Sequence, residues 1–141
     1  MLTTPDPDSP STPAPRRPRI LLVDDHEMGR NSLARLLVAL GYEVVDVKDG
    51  ASAIERMDQD LRYDYVLTDV RLPDLDGREV VQAAHRLDPS PWVALITGWD
   101  VTPEEVERLK IDCVFLKPLD VMAIVDRLKQ SPPADLAEGE A

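Results

Sequence analysis

Five short apolar runs alternate along this chain with stretches of helical spacing. The runs are RILLVDD (19–25), YEVVDV (42–47), YDYVLTD (63–69), PWVALIT (91–97) and DCVFL (112–116). Between the first two, EMGRNSLARLLVALG sets Leu33, Leu36, Leu37 and Leu40 on one helical face, with Gly41 as its stop. Asp49 can cap a second helix through about Met57. Asp76 followed by Glu79 forms a cap pair, with Val80, Ala84 and Leu87 along one face behind it. TPEE (102–105) places Thr at a cap, Pro in the first turn and Glu at the third helical position. The last helix carries Val121, Ile124, Val125 and Leu128 at i, i+3, i+4 and i+7. Strand–helix units in this order predict an α/β fold. Its single five-stranded parallel sheet is flanked by helices on both faces. Right-handed crossovers put all the strand ends on one edge, where ligands bind in such sheets.

Length and charge narrow the choice further. The chain has 141 residues, enough for one domain. Residues 1–16 are rich in Pro, Ser, Thr and Asp and are expected to be a disordered arm; 17–130 form the domain; 131–141 are expected to be a loose acidic tail. A formal net charge of -11 argues against a nucleic-acid-binding surface, which needs clustered Lys and Arg. The one basic cluster is Arg16, Arg17 and Arg19. No apolar run is long enough to span a membrane, and the proline-studded N-terminus has no signal-peptide core. The single cysteine, Cys113, excludes an internal disulfide and suits a reducing cytoplasm.

The strand ends carry the chemistry. Strand one ends in Asp24 and Asp25, strand three in Asp69, strand four in Thr97 and Gly98, strand five in Lys117 and Pro118. The fold would gather three acids, a hydroxyl and an ammonium. Two carboxylates about 4 Å apart repel by roughly 4 kcal/mol at an effective dielectric of 20. A divalent cation relieves this, and a few oxygen ligands suit Mg2+ that keeps several waters. Metal and lysine together make an anion site. A phosphoryl group fits it, with Asp69 as nucleophile forming an acyl phosphate.

The stretches LLVDD, VLTDVRLPDLDG, ALITG and VFLKP resemble the receiver domain of two-component response regulators, over about Arg19 to Lys129. The resemblance implies the flavodoxin-like order 2-1-3-4-5 of the chemotaxis receivers. It implies Asp69 as phospho-acceptor and Asp24 and Asp25 as the acid pair at the magnesium. The backbone carbonyl of Arg71 becomes a further ligand. Thr97 becomes the switch hydroxyl, and Lys117 the phosphate lysine before a proline bond that is usually cis. Gly77 matches the turn glycine. Such a chain is a cytoplasmic signalling phospho-acceptor rather than an enzyme with a separate substrate, although the family catalyses its own phosphotransfer and dephosphorylation. Its partners would be a sensor histidine kinase or a histidine phosphotransfer protein, with no direct nucleic acid and no membrane insertion; some receivers form homodimers on activation. The last eleven residues are too few for an output domain, so output is expected through protein contacts or phosphorelay.

Some positions depart from the family. The usual switch aromatic, three before the lysine, is Val114; Phe115 should face the other side of the sheet. Arg71 and Trp99 would flank the phosphoryl group. The alternative is therefore a receiver-fold interaction module that does not depend on phosphorylation. A dehalogenase-type hydrolase would need an acid two residues after Asp24, where His26 stands. His26 and His85 read as solvated, Asp74 as solvated, Asp76 as a cap, and Cys113 and Trp92 as packing residues.

Overall fold

The computed structural model describes residues 16–60, 62–98 and 101–136. The expected arm up to residue 15, the last five residues and Trp99 lie outside the described residues. Strands β1 (Arg19–Val23), β2 (Glu43–Val47), β3 (Tyr65–Asp69), β4 (Trp92–Thr97) and β5 (Cys113–Leu116) form one sheet in the order β2-β1-β3-β4-β5. Every pairing is parallel. Helices α1 (Glu27–Ala39), α2 (Gly50–Asp60), α3 (Gly77–Ala84), α4 (Pro103–Leu109) and α5 (Val121–Gln130) alternate with the strands. Among the described residues no helix is long and apolar enough to cross a membrane.

Period-two alternation splits the core into two layers. Leu21, Val23, Val66, Val93 and Leu95 join Ala53, Met57, Val80, Val81, Ala84 and Leu109 from α2, α3 and α4. Ile20, Leu22, Tyr65, Leu67, Ala94 and Ile96 join Leu33, Leu37, Ile124, Val125 and Leu128 from α1 and α5. Phe115 belongs to the second layer and Val114 packs on the first, as alternation requires. Each fully buried aliphatic side chain contributes about 1.5–3 kcal/mol. All five residues of β3 are buried, so this strand lies at the centre of the molecule.

Local signals set the helix ends. Asp76 and Thr102 open α3 and α4 with complete capping boxes, and Asp120 caps α5. Asp49 Oδ1 accepts from Ser52 N–H at 2.8 Å, as expected, but α2 runs on to Asp60 rather than ending near Met57. Gly41, the stop after α1, has φ +104°, a conformation that favours glycine. Strand β1 ends at Val23 and β3 begins at Tyr65, within the usual boundary spread.

The N-terminal edge of the sheet holds the two ends of the described chain. Arg16 donates to Asp64 at 2.7 and 2.8 Å and to Asp135 at 2.7 and 2.8 Å. Ala134–Leu136 form a short 3-10 turn, and the Tyr65 hydroxyl donates to the Ser131 carbonyl at 2.9 Å. Trp92 stacks edge-on against Tyr65 with ring centres 5.9 Å apart, the packing role expected of it.

Candidate functional site

The opposite edge gathers the acids. The corner after β1 carries Asp24 and Asp25, and β3 ends on Asp69. One carboxylate oxygen from each lies within 4.8 Å of the others. Asp24 and Asp69 are buried, at 6% and 2% exposure, while Asp25 is open to solvent. The corner is built to hold this shape. Asp24 N–H donates to the Val47 carbonyl at 3.1 Å, and Asp24 Oδ1 accepts from His26 N–H at 2.9 Å. Arg30, one turn into α1, donates to the Asp24 carbonyl at 2.8 Å and to Asp46 at 3.0 Å. His26 is exposed and caps α1, its Nδ1 accepting from Gly29 N–H.

Lys117 follows β5, two strands from Asp69. Its N–H donates to the Thr97 carbonyl at 2.9 Å, and its bond to Pro118 is cis. Its Nζ reaches 3.2 Å from Asp69 Oδ1. The approach brings the charges together without hydrogen-bond alignment, so Oδ1 remains a buried acceptor with no aligned donor. Thr97 ends β4 beside β3 and is 4% exposed. A Cβ on Gly98 would meet nothing within 4 Å, so the space beside the site is open there.

Burial pushes the Asp69 carboxyl up to about 7, and the neighbouring Asp24 acts in the same direction; Lys117 opposes them. One ammonium facing three carboxylates leaves an excess of negative charge. A buried carboxylate oxygen with no aligned hydrogen-bond donor, among oxygen-only ligands, fits a hard divalent cation such as magnesium, and the lysine beside it fits an anion. The donor set therefore suits both groups that the sequence implies.

Asp74, in the loop after β3, is exposed, as the sequence reading has it, but it also makes contacts that reading did not foresee. It accepts from Gly50 N–H at 2.9 Å and Ala51 N–H at 2.8 Å. These two bonds, Gly50 first, hold its carboxyl below the ordinary carboxylate range. Its partners lie 24 and 23 residues away, so no local motif announces them. His85 also differs. It ends α3, with Nδ1 3.0 Å from Ser90 Oγ and Nε2 3.1 and 3.0 Å from the carbonyls of Leu109 and Lys110. Carbonyls only accept, so Nε2 carries a proton. Arg30 is a third residue that sequence reasoning passed over; an arginine on the first turn of α1 is its only sequence trace. Arg71 is exposed in the loop and forms an antiparallel bridge with Asp76.

Residues 20–129 match the sequence profile of the response regulator receiver domain. The gliding motility regulatory protein of Myxococcus xanthus is 43% identical over 100 residues, covering 68% of this chain and 12% of that protein. The response regulator receiver protein CpdR of Brucella abortus (strain 2308) is 38% identical over 81 residues, covering 57% of this chain and 67% of that protein. The chain thus spans only a small part of the first of these relatives. A CheY-like response regulator receiver domain protein from Methanospirillum hungatei JF-1 superposes with a TM-score of 0.76 at 26% identity, covering 89% of this chain and 100% of that one.

Proposed function

This chain belongs to the response regulator receiver family, and from that premise we propose that Asp69 is its phospho-acceptor. The phosphoryl donor is the phosphohistidine of a sensor histidine kinase or of a histidine phosphotransfer protein. The observation that carries this reading is the convergence of Asp24, Asp25 and Asp69 within 4.8 Å, with Lys117 3.2 Å from the last.

Asp24, Asp25, Asp69 and the backbone carbonyl of Arg71 would hold magnesium. When bound, the ion neutralises carboxylate charge and stabilises the oxygens of a phosphoryl group in transfer. The chain supplies the rest. A carboxylate oxygen of Asp69 attacks phosphorus in line, forming a P–O bond as the P–N bond to the donor imidazole breaks. The imidazole nitrogen keeps the electron pair and takes a proton from solvent. Lys117 moves its charge from the carboxylate to a phosphoryl oxygen, and Thr97 donates its hydroxyl to another. Hydrolysis of the acyl phosphate at the same site resets the protein. The signal leaves through protein contacts or onward transfer to another histidine, in the cytoplasm.

Incubation with a small phosphodonor tests the reading. Wild type gains one acid-stable, base-labile phosphoryl group only when magnesium is present, and Asp69→Asn gains none. Full labelling of Asp69→Asn would move the acceptor elsewhere.

Val114 supports a second reading, an interaction module independent of phosphorylation. It lines a surface cleft of about 640 Å³ with Val101, Pro103, Val106, Lys110 and Cys113, and among the described residues no aromatic side chain lines that cleft. Magnesium with a phosphoryl mimic should shift the amide signals of α4 and β5 under the first reading. Under the second they stay where they are.

A further inference from the structure

The loop that leaves Asp69 is closed at its base and tethered at its tip. At the base, Gly77 N–H donates to the Val70 carbonyl at 2.7 Å, next to the Arg71–Asp76 bridge. A side chain is impossible at Gly77, because a Cβ would lie 1.9 Å from the Asp69 carbonyl oxygen. The tip, residues 73–75, reaches across to α2 instead. Asp74 takes both amides of the first turn, Oδ1 from Gly50 and Oδ2 from Ala51. Leu75 lies on Gly50 so closely that a Cβ there would come within 2.1 Å of Leu75 Cδ1.

Those amides are among the first four of a helix, which have no intrahelical partner. The helix already has a cap of its own, since Asp49 serves Ser52 N–H. A second carboxylate on the same turn, brought from a loop 23 or more residues away, fastens the loop to the helix. The helix is a firm anchor, because Ala53 and Met57 are buried in the core. The loop between Asp69 and this tether carries Arg71.

We infer that Asp74 is a positioning residue for the cation site. It fixes the shape of the Arg71 loop before a cation arrives, so that little ordering remains to oppose binding. This rests on the proposed reading of Asp24, Asp25, Asp69 and the Arg71 carbonyl as metal ligands, and deepens it.

Titration with MgCl2 alone, followed on backbone amides by NMR, tests the inference in the full chain. Asp74→Ala should weaken magnesium binding about tenfold, the low end for loss of a supporting partner. It should also speed hydrogen exchange at Gly50 and Ala51. Asp74→Asn keeps an acceptor oxygen and should recover part of the affinity. Asp49→Ala removes a cap from the same helical turn but leaves the loop tethered; it should lower stability and leave magnesium affinity unchanged. Wild-type affinity in Asp74→Ala overturns the inference, as does an equal loss in Asp49→Ala. Should Asp74→Ala not fold, affinities of Asp74→Asn and Asp49→Ala that are both equal to wild type overturn it. Absence of saturable binding by the wild type defeats the metal-site reading itself and this inference with it, and the wild-type titration alone reveals that case.

Discussion

Asp69 sits at the end of a strand with no exposed residue, and its ionisation is opposed by burial and by Asp24. The sign of the consequence follows from linkage. A carboxyl whose folded value is about 7 against an ordinary 3.8 adds stability below pH 4 and loses it as pH rises through 7. The metal-free protein should therefore lose stability from this group between about pH 4 and pH 7. Asp69→Asn removes the charge, so at pH 8 without magnesium it should melt higher than wild type, by roughly 5 °C. Magnesium should raise the wild-type melting temperature at pH 8 and leave that of Asp69→Asn nearly unchanged. Thermal unfolding with and without the ion checks both; a lower melting point for Asp69→Asn would show that burial does not strain this carboxyl. Asp24, Asp25, Asp69 and Lys117 were legible in the sequence because each closes an apolar strand, where a charge needs a reason. Asp74 was not, because an aspartate in a polar loop reads the same whether it faces water or a helix far along the chain.

At the scale of elements, α4 is tied to α3 at two points. Near the site, Arg78 lies 3.3 Å from Glu105, which also completes the cap of α4. At the far end, His85 reaches the carbonyls of Leu109, the last residue of α4, and of its cap Lys110, which turns into the left-handed region at φ 57°. The first tie is a partly exposed ion pair and contributes little, about 0–1 kcal/mol. The second is a set of oriented hydrogen bonds. His85→Ala should lower stability by about 1–2 kcal/mol in denaturant unfolding. Amide exchange should quicken near Leu109 and Ile111 while the active edge of the sheet stays protected; unchanged exchange there would mean that packing alone holds the helix. The capping boxes of α3 and α4 could be read from four-residue patterns, since cap and partner lie three residues apart. The His85 tie could not, because its acceptors are backbone atoms of another helix.

For the whole molecule, the alternation of apolar runs and helical stretches was enough to give a parallel sheet, and the receiver motifs gave its strand order. The clasp between the two ends was hidden by composition. Arg16 stands in a Pro-rich stretch and Asp135 in an acidic one, yet both meet Asp64, directly or through the arginine, at the edge opposite the site. The side chain of Asp64 is 4% exposed and that of Asp135 50%. Arg16→Ala takes the two closest side-chain bonds from a buried carboxylate, which keeps Arg19 N–H at 2.7 Å and Arg62 at 3.8 Å, and should cost about 2 kcal/mol. Asp135→Ala removes only an exposed partner and should cost under about 1 kcal/mol. Equal losses in denaturant unfolding would show that the pairing with Asp64 has no special weight.

Signalling by this chain depends on one carboxylate oxygen of Asp69 becoming phosphorylated. Treating the phosphorylated protein with borohydride reduces an acyl phosphate to an alcohol, and peptide mass spectrometry then locates it. The expected result is homoserine at position 69 alone, formed only when phosphodonor and magnesium were both supplied. Conversion at 24 or 25 instead, or a phosphoryl group found on His26 or His85, would contradict it.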